Sequence, residues 1–185
     1  MHRYLPVLLL LPFFACKDKK YCACCENPGL SARITLNYGP AHPDSLATEA
    51  LIYVPNILVY DDSGINDLFM VFSNFAVVEI VSFEGKDSKG NRLFLFEHFY
   101  PSDTRYGWNG LTSGGTRYEG SFDYTLVAKL YDGQVKTLEG SACAFPCGDK
   151  GFPKSQVDGC QFNSQNNGNG EFDPTQPGGA PGCFE

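Results

Sequence analysis

Residues 119–142 read EGSFDYTLVAKLYDGQVKTLEGSA, and this stretch decides the fold class. Phe122, Tyr124, Leu126, Ala128 and Leu130 occupy every second position, with more polar or smaller residues between them. A period of two places such residues on one face of a strand. Asp132-Gly133 follows, a pair suited to a type I′ turn, in which both central residues take φ > 0. Residues 135–144 return as the partner strand. No sustained helical period interrupts the pattern elsewhere, so the expectation is an all-β protein.

Upstream, residues 92–99 (RLFLFEHF) read as a strand, joined through the hairpin chemistry of residues 84–91 (EGKDSKGN) to a strand candidate at 75–83. Residues 68–72 are another candidate, and Asp61-Asp62-Ser63-Gly64 is a turn. Residues 51–60 (LIYVPNILVY) are rich in β-branched and aromatic residues, and Pro55 there predicts an edge or a strand end. Residues 30–38 are a first strand, followed by a Gly/Pro/His/Asp-rich loop over 39–48. The segment 101–119 is rich in Gly, Ser and Thr and holds the only Trp, Trp108. Past Cys147 the composition turns to Gly, Asn, Gln, Pro and Asp, which cannot bury enough apolar surface to form a core of its own.

Three segments carry a resemblance to a known family. They are VPNILVYDDSGINDLFMVF at 54–72, GWNG at 107–110, and the 119–142 stretch. In order and spacing they resemble the gliding motility-associated C-terminal domain of Bacteroidetes-type bacteria, over roughly residues 50–145. That family opens on a Pro-Asn segment and an N-G-D-G-I-N-D-x-F motif, then shows a G-W-D-G turn and a D-G hairpin. Here Asp62-Ser63-Gly64 replaces Asp-Gly, Asn109 replaces Asp, and residues 86–91 replace an Arg-Trp-Gly hairpin. The resemblance implies an immunoglobulin-like antiparallel β-sandwich. It also implies a link to gliding motility or type IX secretion, although the C-terminus that a sorting signal needs is occupied by some forty further residues.

The N-terminus indicates location. Residues 5–14 (LPVLLLLPFF) form an apolar run of signal-peptide length, about half a membrane span. Ala15-Cys16 and a polar Lys17-Asp18-Lys19-Lys20 follow. This resembles the lipobox of bacterial lipoproteins, with Phe13 at a position where Leu is usual. The resemblance implies cleavage before Cys16, a diacylglycerol on its thiol, and a cell-envelope protein, most simply in the outer membrane. The whole chain carries 14 Lys+Arg against 21 Asp+Glu, net −7; removing residues 1–15, whose one formal charge is Arg3, leaves −8. An acidic chain with no basic stripe excludes nucleic acid and electrostatic membrane binding. Acyl chains on Cys16 are then the membrane contact.

Eight cysteines are present, and with Cys16 assigned to lipid seven remain: Cys22, Cys24, Cys25, Cys143, Cys147, Cys160 and Cys183. Disulfides persist outside the cytoplasm. We expect Cys160 and Cys183 to close the C-terminal stretch and the Cys22, Cys24, Cys25 trio to face Cys143 and Cys147, with one thiol left over. A zinc site from these thiols with His42 or His98 matches no common ligand spacing. Two oxygen-rich clusters are candidates for calcium: Asp61, Asp62, Ser63, Asn66 and Asp67 around Gly64, and Asn163, Gln165, Asn167, Asn169, Glu171 and Asp173 around Gly168 and Gly170. The first reads equally as an Asx-rich turn, the second as a solvated loop.

No G-x-S-x-G occurs, and His42 and His98 read as surface residues, so no catalytic residue is assigned. Trp108 and Tyr124 are expected in the core. Tyr53, Tyr100, Tyr106 and Tyr118 belong either there or to a sugar-stacking face. The chain thus divides into a signal peptide (1–15), a Cys-rich tether with a first strand (16–49), the sandwich (50–147) and a Gly/Asn-rich, Cys-tied C-terminal loop (148–185). The expected role is a non-enzymatic envelope lipoprotein, binding a protein or, alternatively, a glycan. No cofactor is expected beyond the calcium option.

Overall fold

The computed structural model describes residues 28–38, 47–60, 64, 66–147 and 159–178. Among the described residues eight strands run β1 (Leu30–Thr35), β2 (Glu49–Val54), β3 (Ile57–Tyr60), β4 (Phe72–Ser73), β5 (Val77–Asp87), β6 (Arg92–Phe99), β7 (Gly120–Leu130) and β8 (Val135–Pro146). They form two sheets, one in the order β1-β2-β4 and one in the order β3-β8-β7-β5-β6. The protein is all-β, and one cluster of buried side chains fills the space between the sheets.

The alternation in β7 is realised as read: Phe122, Tyr124, Leu126, Ala128 and Leu130 are all buried. They meet Ile52, Phe69 and Val71 from the other side of the core, with the Phe69 ring 5.0 Å from Phe122 and 5.4 Å from Tyr124. The turn differs from expectation. Gly133 has φ +85°, but Asp132 does not have positive φ. Leu130 N–H donates to the Gln134 carbonyl and Gly133 N–H to the Leu130 carbonyl. The connection is therefore a three-residue loop, 131–133, and not a two-residue type I′ turn. In such a loop only its last residue needs the left-handed region. The same pair of backbone bonds closes residues 87–91, so β5 runs on to Asp87, well past its expected end at 83.

Pro55 splits the apolar run 51–60 between the sheets. Before it, β2 is the central strand of the smaller sheet; after it, β3 lies at the edge of the larger one and pairs in parallel with β8, Ile57 opposite Cys143. The larger sheet is thus mixed, not purely antiparallel. A proline cannot donate to a ladder, so it suits the point where a strand leaves one sheet for the other. The candidate strand at 68–72 is mostly irregular: Phe69 makes an isolated bridge to Trp108, and β4 holds only Phe72 and Ser73.

Strand β5 carries two irregularities against β7, between Val77 and Glu79 and between Ile80 and Ser82. Its burial consequently follows a step of three rather than two, with Val77, Ile80 and Phe83 inside. Each bulge inserts one residue and turns its neighbours.

Candidate binding site

The C-terminal stretch is built onto the body rather than standing apart from it. In β2, Ala50, Ile52 and Val54 point into the core. Alternation sends Leu51 and Tyr53 to the opposite face of that sheet, yet Tyr53 is fully buried. Its cover is the segment 160–173. The Tyr53 hydroxyl donates to the Phe162 carbonyl at 2.9 Å, and the Phe172 ring lies 6.0 Å away. Arg33 on β1 bridges Glu49 and Glu171 at 2.6 and 2.5 Å, and those acceptors raise its pKa further, the Glu49 hydrogen bond most.

Asn56, the one polar residue within the apolar run 51–60 beside Pro55, is the hinge of this arrangement. It is fully buried. Its Oδ1 accepts from Gln161 N–H at 2.6 Å, its own N–H donates to the Gln161 carbonyl, and its carbonyl accepts from Cys143 N–H. A buried amide so satisfied ties the sheet switch to the C-terminal segment. Sequence reasoning missed it, although a lone amide inside an apolar run is a usable signal. Asn74 was missed likewise: it accepts from Leu51 and Ala76 N–H and donates to the Glu49 carbonyl.

The two calcium candidates meet here. Asp61, Asp62 and Ser63 lie outside the described residues. Asp67 Oδ2 accepts from Gly64 N–H at 2.6 Å, and buried Asn66 accepts from Ser164 N–H, so both hold turns. Asn163 donates to the Leu68 carbonyl. Asn66 Nδ2 and Asn163 Oδ1 are buried without a hydrogen-bond partner, one donor and one acceptor, whereas calcium takes six to eight oxygens. Asn167 Oδ1 accepts from Asn169 and Glu171 N–H, Gln165 Oε1 accepts from Phe162 N–H, and Asp173 Oδ1 accepts from Thr175. The Thr175 hydroxyl lowers the Asp173 pKa. Asn169 is exposed. Among the described residues no three His, Cys, Asp or Glu side chains gather as a metal site.

Cys143, Cys147 and Cys160 are disulfide-bonded, and none of the described cysteines is a free thiol. Cys143 and Cys147 are four residues apart along the extended end of β8. That is about 13 Å at strand rise, against the roughly 7 Å limit of a disulfide, so they are not partners of each other. Cys16, Cys22, Cys24, Cys25 and Cys183, like His42, lie outside the described residues.

The aromatic residues separate cleanly. Trp108 is buried, 5.0 Å from Phe94 and 5.1 Å from Phe122, and its Nε1–H donates to the Leu111 carbonyl. Tyr53, Tyr60 and Tyr124 are buried, and burial pushes all three phenols well above their usual pKa. Tyr106 stacks on Phe99 at 4.7 Å, and Tyr118 packs at the edge of the core. Tyr100 alone of the six is exposed, at 74%. It adjoins a cleft lined by Val78, Glu79, His98, Phe99 and Tyr100. There His98 Nδ1 lies 2.8 Å from Glu79 Oε1. The lining contains no Ser or Cys, and Glu97, beside His98 in sequence, is not part of it.

No family model matches this chain, and no curated protein matches it.

Proposed function

We propose that this protein is a non-enzymatic lipoprotein of the cell envelope, anchored through acyl chains on Cys16, whose body is an immunoglobulin-like binding module. The fold-level support is the sheet switch at Pro55, with β3 running parallel to the last strand β8. That reading agrees with the resemblance of residues 50–145 to gliding motility-associated domains. It makes an envelope protein of the gliding or secretion machinery the expected partner.

The observation that carries the binding role is the distribution of exposed apolar side chains. Phe75, Tyr131 and Val135 are 68%, 51% and 57% exposed. All three sit at the end of the body where β5 begins and β7 turns into β8, joined there by the Tyr131 N–H to Ala76 carbonyl bond. In this reading Cys183 closes the C-terminal segment onto Cys160, and the tether cysteines serve Cys143 and Cys147.

Fractionation and crosslinking test the proposal. Cys16→Ser should move the protein from the membrane pellet to the soluble fraction. A photo-crosslinker at Tyr131 should trap an envelope protein that one at exposed Lys89, on the β5–β6 loop, does not. Unchanged pelleting of the Cys16→Ser variant removes the anchor. Equal trapping from both positions removes the binding end. Non-reducing peptide mapping reads the disulfides, and Cys160 joined to the 22–25 cluster would overturn the pairing.

A further inference from the structure

We propose that the cleft at the start of β5 and the end of β6 binds an uncharged sugar ring, with Tyr100 as its stacking platform. The backbone sets this place apart. Among the described residues only two non-glycines have positive φ, His98 at +53° and Ser102 at +61°, and they bracket Tyr100. Such conformations persist where surrounding structure holds them, and they concentrate at ligand sites. Opposite them, the first irregularity of β5 falls at Val78. It turns both Val78 and Glu79 away from the core, against the usual alternation, and both then line the cleft.

The chemistry of the cleft fits a sugar. Its volume is about 390 Å³, within the size range of small-molecule sites. Tyr100 is the most exposed large apolar side chain among the described residues, and a phenol presents an apolar face with a polar tip. A pyranose has a matching apolar C–H face and a rim of hydroxyls. The His98 Nδ1 to Glu79 Oε1 bond leaves His98 Nε2 and Glu79 Oε2 with no other hydrogen-bond partner among the described residues. Oε2 is an acceptor, and Nε2 accepts in the neutral ring and donates in the protonated one. Two neighbouring sugar hydroxyls, each able to donate and to accept, can bond the pair. Lys129 stands opposite Glu79 in the β5–β7 register, which brings a positive charge to the same part of the sheet.

The inference rests on the reading of the chain as an envelope binding protein, for which surface glycans are the abundant sugars. Saturation-transfer difference NMR tests it, on the full chain in detergent micelles. The probes are cellobiose, N,N′-diacetylchitobiose, maltose and mannobiose. At least one should receive saturation at its ring C–H protons. Tyr100→Ala should weaken that binding at least about fivefold, and Glu79→Ala should weaken it as well. Leu111→Ala, at an exposed apolar residue outside the cleft lining, should not. Melting curves confirm that each variant is folded.

No transfer to any probe at about 20 mM, far above the millimolar affinities of weak sites, would overturn the proposal. Binding that survives Tyr100→Ala would overturn it equally. Fractionation and crosslinking remain independent of this result. A membrane-anchored, crosslinking protein that binds none of the four sugars loses the cleft and keeps its envelope role.

Discussion

Gly168 and Gly170 provide a matched test of how the C-terminal segment is held. Both have positive φ, +81° and +78°. An added Cβ at Gly168 would meet nothing within 4 Å. At Gly170 it would meet backbone: Ser73 Cα, the Leu51 carbonyl oxygen at 2.6 Å and the Ser73 carbonyl carbon at 2.8 Å. Alanine at either position bears the left-handed penalty of an L-residue, about 1–2 kcal/mol. Only Gly170→Ala must also push the 166–172 hairpin off β2 and β4. Backbone cannot yield as a flexible side chain does, and overpacking of this kind costs roughly 1–3 kcal/mol more. Lifting the hairpin would also lose part of the half-buried Phe172 contact with Tyr53. We expect Gly168→Ala to cost about 1–2 kcal/mol and Gly170→Ala about 2–5 kcal/mol, the sum of the two terms. Urea unfolding reads both values. Hydrogen exchange reads where the loss falls: Gly170→Ala should deprotect the Asn167 and Asp173 amides, which donate to Glu171 and Gln165. Equal costs for the two variants, with unchanged exchange in 160–173, would refute the docking of this segment on the smaller sheet.

Trp108→Ala should cost about 3–5 kcal/mol, the range for truncating a buried aromatic. Wild-type Trp fluorescence should be blue-shifted and poorly quenched by iodide; a red, freely quenched spectrum would place the ring in water. Gly133→Val should destabilise by roughly 1–3 kcal/mol through backbone strain, because an added Cβ there meets nothing within 4 Å; Gly133→Asn should recover most of it. An unchanged melting temperature for the Val variant would count against the three-residue loop. Tyr53, Tyr60 and Tyr124 keep their protons in the folded state above the ordinary tyrosine pKa of about 10, whereas the unfolded chain releases them there. Stability is therefore fully present below that value and falls as pH rises past it. Phenolate absorbance should show these three silent until alkaline unfolding. A single smooth titration of every tyrosine with the fold intact would contradict their burial.

The residues that were legible in advance are those whose environment is set by near neighbours. The β7–β8 hairpin follows from alternation over 122–130 and a turn pair next to it. The burial of Trp108 and Tyr124 follows from their place in that pattern and in the resemblance. The turn type was misread because Asp-Gly suits both a two-residue and a three-residue loop, and the strand register chooses between them. The run LIYVPNILVY hid more. β2 beyond Leu51 and all of β3 are buried on both faces, so no alternation marks which face is inner.

The amino-acid sequence by itself determined that this protein is built of β-strands, where its main hairpin turns, and that it is acidic. These properties depend on period, turn chemistry and charge, all of which are local or additive along the chain. Only the tertiary structure decided that residues 160–173 cover the second face of β2. Tyr53 finds Phe162 across 109 residues and Asn56 finds Gln161 across 105. A Gly/Asn-rich stretch has too little apolar surface to fold on its own. It becomes ordered by lending a few groups, the Phe172 ring and the Gln161 and Phe162 carbonyls among them, to a surface that exists only once the sheets have formed. No window of sequence contains both halves of that contact.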